Sequence, residues 1–474
     1  MCELLITLVA ASASVLGQSG VDVRITRAEQ GLLPRAVLKG GTGKRNSIAE
    51  RMAYHGVPSM SMAVIEDGQL AWARAYGVRG RDGSVSPDTL FQAASLSKPV
   101  SALGALLLVQ QQRLELDADV RPWLRSWMPG EAITLRQLLS HTAGLTVSGF
   151  SGYMPGALLP SITQILNGQA PANNEPVRVA IHPGTKVQYS GGGYVAIQQV
   201  VTEVTQLPFD KYMHKAVFSP LAMTHSSYAQ PLPDDRARSA AFGHRRDGSK
   251  LEGNWMAQPE LAAAGMWTTP SDLARIITEV QDAAAGRPAR ILKQEWAREM
   301  LTGRVDNAGL GFFLTGPNGS SRRFTHSGRN AGFDALLVAY KNGRQGAVVM
   351  INRNNNGGFI HEVLESVARE YKWPDYIPPA PQQEYEAVPV SVQAPYAGVY
   401  EAPDRPGLTV VFEDNKLFAR AGDDVWFRLY PTSVSEFFAT ENAMRWTFVR
   451  SRDGRVREVV ARSGNTEVRR RRLP

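Results

Sequence analysis

Cysteine is nearly absent: Cys2 is the single one in 474 residues. No intrachain disulfide can form, and no thiolate cluster can hold a metal. The eight histidines show no spacing of the zinc type, so neither a metal nor a cofactor is expected. Beyond the first twenty residues no apolar run reaches the length needed to cross a membrane. A basic stripe interleaved with aromatics is also missing, which argues against a nucleic-acid partner. The formal net charge of +8 is unevenly placed instead. Residues 451–474 hold eight arginines against three acidic residues, a local +5, which suits a solvated chain end or contact with an acidic surface such as a cell wall.

What remains is a globular composition. The hydrophobic set makes up 43% and charged residues 20%, with 43 glycines and 29 prolines marking many turns. The length predicts one large domain and one smaller one. Residues 1–20 carry an apolar centre, Leu4–Ala10, followed by small residues. They read as a secretory signal peptide with Glu3 where a basic residue is usual, and the expected location is periplasmic or secreted.

One stretch organises the rest: Phe91-Gln92-Ala93-Ala94-Ser95-Leu96-Ser97-Lys98, which opens an apolar helical run through Leu108. Ser95 and Lys98 are three apart, so on a helix their side chains share a face. A serine hydroxyl is inert until a base takes its proton. A lysine serves as that base only if burial or nearby positive charge keeps it partly neutral. The helix start adds backbone N–H groups aimed at an oxygen that develops negative charge.

Along the chain, Met60–Gly77 reads as a hairpin turning at Asp67-Gly68. Ile133–Leu139 reads as a helix capped by Thr134, and it runs into His141-Thr142-Ala143-Gly144-Leu145. Residues 146–169 are irregular and suit a loop over a site. Tyr189-Ser190-Gly191 opens another apolar helix, and Thr269 with Pro270 marks a further helix start. Strands are expected at 310–314, 323–326, 334–340 and 347–352, with a closing helix at 360–370. This pattern predicts an α/β (α+β) arrangement, an antiparallel sheet flanked by helices with a helical insertion. Residues 371–395 hold six prolines and read as a linker. Short strands with polar turns then predict a small all-β barrel or sandwich at 396–474.

These stretches resemble the serine β-lactamase and penicillin-binding-protein superfamily, especially its class C β-lactamase-like and esterase branch. Ser95-Leu96-Ser97-Lys98 is similar to the nucleophile motif. Leu138–Leu145 resembles a landmark between the first and second motifs, and Gly265–Leu273 a further one. Tyr189-Ser190-Gly191 stands where the branch has tyrosine, any residue, then asparagine. His326-Ser327-Gly328 stands where relatives have lysine or histidine, a hydroxyl residue, then glycine on the edge strand beside the serine. The likeness covers about 45–370, and the last domain resembles lipocalin-like accessory domains.

The resemblance implies that Ser95 attacks a carbonyl to give an acyl-enzyme, with Lys98 helping to deprotonate it. Tyr189 would act as general base and then acid. Its phenol ordinarily titrates near pH 10, so it needs Lys98 nearby, with His326 as a further neighbour. The N–H groups of Ser95 and Arg329 would form the oxyanion hole. His326, Ser327, Gly328 and Gly191 would contact substrate, and His141 would be structural, bonding loop backbone. Gly191 in place of asparagine and His326 in place of lysine both disfavour an efficient β-lactamase. The favoured activity is carboxylic ester hydrolysis, with Phe150, Tyr153 and Met154 as an apolar acyl pocket. D-amino-acid peptide or weak β-lactam cleavage is the second reading, and a non-catalytic penicillin-recognising protein the third.

Overall fold

The computed structural model describes residues 20–474, apart from 42, 81–82, 125, 355–357, 378–382, 404, 422–425, 440–443 and 464–465. The expected signal peptide thus lies, but for Gly20, outside the described residues. The chain forms two compact units. One comprises residues 52–354 and 372–376; the other comprises 1–51, 355–371 and 377–474.

The first unit is built on a seven-stranded antiparallel sheet. Its order is Gly83–Ser84, Gln69–Gly80, Ser59–Glu66, Gly346–Ile351, Phe333–Tyr340, Arg323–Asn330, Phe313–Thr315. The first long hairpin closes with Glu66 opposite Gln69. Its two loop residues, Asp67 and Gly68, take φ of 51° and 72°. Positive φ at both positions matches the right-handed twist of the flanking strands, and Asp-Gly accepts it most cheaply. Helix Pro270–Ala284 packs across Ser59–Glu66 and Gly346–Ile351, and the latter strand is buried at every position.

Helices Ser97–Gln110, Gly191–Thr205 and Leu261–Ala264 pack against one another in a single apolar core. In the first of these every residue but Gln110 is buried, so it needs no polar face and lies inside the unit. The polar residues at the helix starts do local work. Thr134, Ser190 and Thr269 each accept from the N–H three residues on, satisfying a donor the helix itself leaves open.

The second unit contains a closed barrel of eight antiparallel strands between Gly398 and Arg472. Tyr400, Leu408, Leu417, Phe437 and Val459 fill its core, and closure leaves no free edge. In the same unit Ala36–Leu38 pairs in parallel with Gln383–Tyr385, and Arg51 meets Glu362 at 2.6 and 2.8 Å in a buried pair. Part of the proline-rich stretch is therefore structured. Proline lacks a donor but keeps its carbonyl, and in the first unit Pro374 O accepts from the Tyr340 hydroxyl at 2.7 Å.

Gly144 shows how tightly the loop after Leu139 is set. Its φ is +66°, and a Cβ there would stand 1.9 Å from Ile181 O. Its own carbonyl accepts from Ala180 and Ile181 at 2.8 and 3.2 Å. Gly144→Ala is expected to destabilise the protein by roughly 1–3 kcal/mol, through strain at a position L-residues avoid. Urea unfolding checks this; an unchanged midpoint would refute the steric argument.

Candidate active site

Strand Phe91–Gln92 pairs with Trp267–Thr268, and the Ala93 N–H donates to Met266 O at 2.8 Å. The chain then turns sharply, with Ala94 at φ +49°, a strained conformation for a residue with a Cβ. Ser95 sits in a single 3-10 turn, Ala94–Leu96, and the α-helix begins only at Ser97. The sequence placed Ser95 on the helix itself. The tight turn still leaves it one turn from Lys98, and Lys98 Nζ lies 2.9 Å from Ser95 Oγ and 2.8 Å from Ala263 O. Lys98 is 2% exposed. Burial pulls its pKa down to about 7, because an ammonium loses hydration that two neutral oxygens replace only in part.

Tyr189, at the edge of the site and part-exposed, places its ring 4.9 Å from Lys98 Nζ. Burial pushes its phenol well above the ordinary tyrosine range, with the nearby Ser95 hydroxyl opposing the shift. The resting site therefore holds a protonated phenol beside an amine that is largely free at slightly alkaline pH.

His326 lies on Arg323–Asn330, which is next to last in the sheet, not last. The outermost strand, Phe313–Thr315, covers it only as far as Thr325. From His326 onward one side is left free because the covering strand is three residues long. Gly328 carries this free edge against the nucleophile. A Cβ there would stand 2.3 Å from Ala93 O and 3.3 Å from Ser95 N, so only glycine fits. The next residue, Arg329, bears the N–H expected to complete an oxyanion hole. Its guanidinium turns to its cross-strand partner Asp334, at 2.9 and 3.2 Å, and Asp334 also accepts from Asn354 at 3.0 Å. Ser327, between them, is exposed.

The His326 ring is 3% exposed, and its Nδ1–H donates to Ser327 O at 2.6 Å. Burial, then the charge on Lys98, hold its pKa down at about 3. The imidazole is neutral at physiological pH, and its Nε2 lone pair is buried without a protein donor.

Gly191 is buried at the start of its helix. A Cβ at that position would meet the Phe150 ring at 2.9 Å and Ser148 O at 3.1 Å, so Phe150 occupies the space where a side chain would begin. Of the other residues expected to line an acyl pocket, Tyr153 is pinned elsewhere. Its N–H and C=O pair with Ala257 at 2.9 and 2.8 Å, and its hydroxyl accepts from the Asn173 N–H at 3.1 Å. Met154 stays exposed.

Sequence reasoning missed three groups. Ala263 contributes only a carbonyl and has no side-chain signature. Asn330, outside the strands expected at 323–326 and 334–340, donates to Gln92 Oε1 at 2.8 Å and Ala264 O at 3.1 Å, tying the free strand edge to the segment behind Lys98. Phe313 stacks on both His141 and Tyr189. Among the described residues no group of three or more His, Cys, Asp or Glu has the arrangement of a metal site.

Known proteins share this organisation. Penicillin-binding protein 4* of Bacillus subtilis is 21% identical over 89% of this chain and 96% of its own length. Protein flp of Staphylococcus aureus is 25% identical over 65% of this chain and 62% of its own. Among solved structures, the octameric penicillin-binding protein homologue from Pyrococcus abyssi aligns with a TM-score of 0.59 at 18% identity, covering 89% of this chain and 98% of that one. The D-amino acid amidase from Ochrobactrum anthropi SV3 aligns with a TM-score of 0.57 at 22% identity, covering 69% and 96%. At these identities the structures speak for the fold alone. The Beta-lactamase family model matches residues 45–368, a span that contains the Ser95 turn, the Tyr189 segment and the His326 strand, and the chain belongs to that family of penicillin-binding-protein-like serine hydrolases.

Proposed function

We propose that the protein hydrolyses uncharged carboxylic esters through an acyl-enzyme on Ser95. The observation that carries this reading is the electrostatics of the site. Lys98 is the base in contact with the nucleophile, His326 is neutral, and the Arg329 guanidinium is engaged by Asp334. Among the described residues, none of these three offers a fixed, unengaged cation to grip a substrate carboxylate, as a carboxypeptidase or a β-lactamase requires. An ester needs no such grip.

In acylation the Ser95 proton passes to Lys98 Nζ as Oγ bonds to the carbonyl carbon. Negative charge on the carbonyl oxygen is met by the N–H groups of Ser95 and Arg329. Collapse breaks the ester C–O bond, the Tyr189 phenol gives its proton to the departing alkoxide, and the Lys98 ammonium restores the phenol. Water then attacks the acyl carbon by the reverse route. A second reading, hydrolysis of D-amino-acid amides, is favoured by one observation. The buried Nε2 lone pair of His326 would accept an N–H that an ester lacks. The amidase among the structural neighbours is consistent with that alternative.

Two measurements test the proposal. A panel of p-nitrophenyl esters, including a hemisuccinate, is run beside a D-alanyl p-nitroanilide and nitrocefin. The neutral esters should turn over fastest, and Ser95→Ala should cut their rate roughly 10^4-fold or more. Preference for the hemisuccinate or nitrocefin would overturn the argument from charge. The second measurement is the pH profile of kcat/KM for a neutral ester. Only deprotonated Lys98 accepts the serine proton, and its pKa is lowered to about 7. The rate should rise about tenfold per unit below that pH and level above it. A flat profile between pH 6 and 8 would remove Lys98 as the base.

A further inference from the structure

His141 lies outside the set of groups that touch a reacting atom, yet its contacts converge on one that does. It follows the short helix Leu135–Leu139 in a left-handed conformation, φ +57°, which a residue with a Cβ adopts only at a cost. In that conformation its carbonyl accepts from the Gln188 N–H at 2.8 Å. Its ring Nδ1 accepts from the Ser190 N–H at 3.1 Å. Between those two residues sits Tyr189, whose ring lies against the imidazole at 4.4 Å between centroids, tilted by 32°. Phe313 backs the imidazole from 5.9 Å, nearly parallel at 3°.

One residue thus fixes the backbone on both sides of Tyr189 and one face of its ring. The ring is used on a single edge, because Nε2 has no protein partner. Acceptance at Nδ1 requires the neutral imidazole. Burial first, then the neighbouring Lys98, push its pKa well below the ordinary histidine value, so the acceptor persists across the working pH range.

We infer that His141 is a positioning residue for Tyr189, holding residues 188 and 190 so that the phenol stays aligned on Ser95 and the leaving group. This rests on the role given to Tyr189 in the proposed function. A misplacement of about 1 Å at a reacting group costs on the order of 10^2 in rate, which is the scale on which such a clamp acts.

The test is a double-mutant cycle on the full chain. His141→Gly keeps the left-handed backbone and removes the acceptor and the ring. His141→Asn restores an acceptor near Nδ1 and tolerates the same φ. Each is made alone and with Tyr189→Phe, and rates are divided by the active sites counted with a phosphonate that labels Ser95. His141→Gly should lower kcat on a poor-leaving-group ester tenfold or more with KM within about threefold, and His141→Asn should recover most of that. In the Tyr189→Phe background the glycine substitution should cost less than twofold. The same factor in both backgrounds, or a loss that vanishes after active-site counting, would overturn the inference alone. Full activity in Tyr189→Phe would overturn the reading of Tyr189 as well. If His141→Gly gives no protein that labels, the asparagine variant runs the same cycle under the same criterion.

Discussion

The burial of one amine governs this site. Lys98 has lost nearly all its water and is held by two neutral oxygens, Ser95 Oγ and Ala263 O. An ammonium in that setting is expensive, so the group gives up its proton near pH 7 where an exposed lysine would keep it. A carboxylate beside it would have stabilised the charge and removed the base. Among the described residues Lys98 has no ion-pair partner, and the two histidines near it are held neutral. In the proposed mechanism catalytic use and electrostatic discomfort are the same property, and a lysine so placed opposes stability for the sake of activity.

The fold supplies what the amine cannot. The proposed acyl transfer needs a nucleophile, a base and a pair of backbone donors within a few ångströms, and three separate parts of the first unit would supply them. The turn at Ala94–Leu96 presents Ser95. The short helix Leu261–Ala264 presents the carbonyl that orients Lys98. The free half of Arg323–Asn330 carries Arg329, whose N–H is proposed for the oxyanion hole, and Gly328 lets the strand come close to Ala93 and Ser95. Asn330 ties the last two together. Two of the non-glycine residues with positive φ, Ala94 and His141, lie at the site, each beside a group that handles a proton in the proposed mechanism.

Much of this arrangement is legible in the sequence because it is written in side chains with strong local preferences. Asp67-Gly68 announces its hairpin, and Thr134, Ser190 and Thr269 announce their helices. The order of Ser95–Lys98, Tyr189 and His326 announces the site. What was not legible depends on contacts between distant backbones or on what fills a gap. Nothing about Ala263 distinguishes it from its neighbours in Ala262-Ala263-Ala264. Phe150 has no feature that marks it as the occupant of the space above Gly191. The pairing of the Arg329 guanidinium with Asp334 shows only in the strand register. The expected edge strand became next to last because Phe313–Thr315, only three residues long, carries too little pattern to reveal its pairing.

Gly191 and Ala263 can be understood together. Where the family places an asparagine, this chain has room for Phe150 and offers Lys98 a backbone carbonyl. An asparagine amide presents both a donor and an acceptor, and can turn either toward an amine. A carbonyl can only accept. A neutral lysine has two N–H groups and one lone pair, and the Ala263 carbonyl, which accepts one N–H at 2.8 Å, does not compete for the lone pair. Lys98 Nζ donates to Ser95 Oγ at 2.9 Å, and at that distance the amine, once neutral, can take the hydroxyl proton instead. Gly191 brings no side-chain donor that would serve a substrate amide, and the Ala263 carbonyl leaves the lone pair of Lys98 open to the serine. That combination suits an acyl group with no amide to be recognised, so the missing asparagine and the proposed preference for esters share one physical origin.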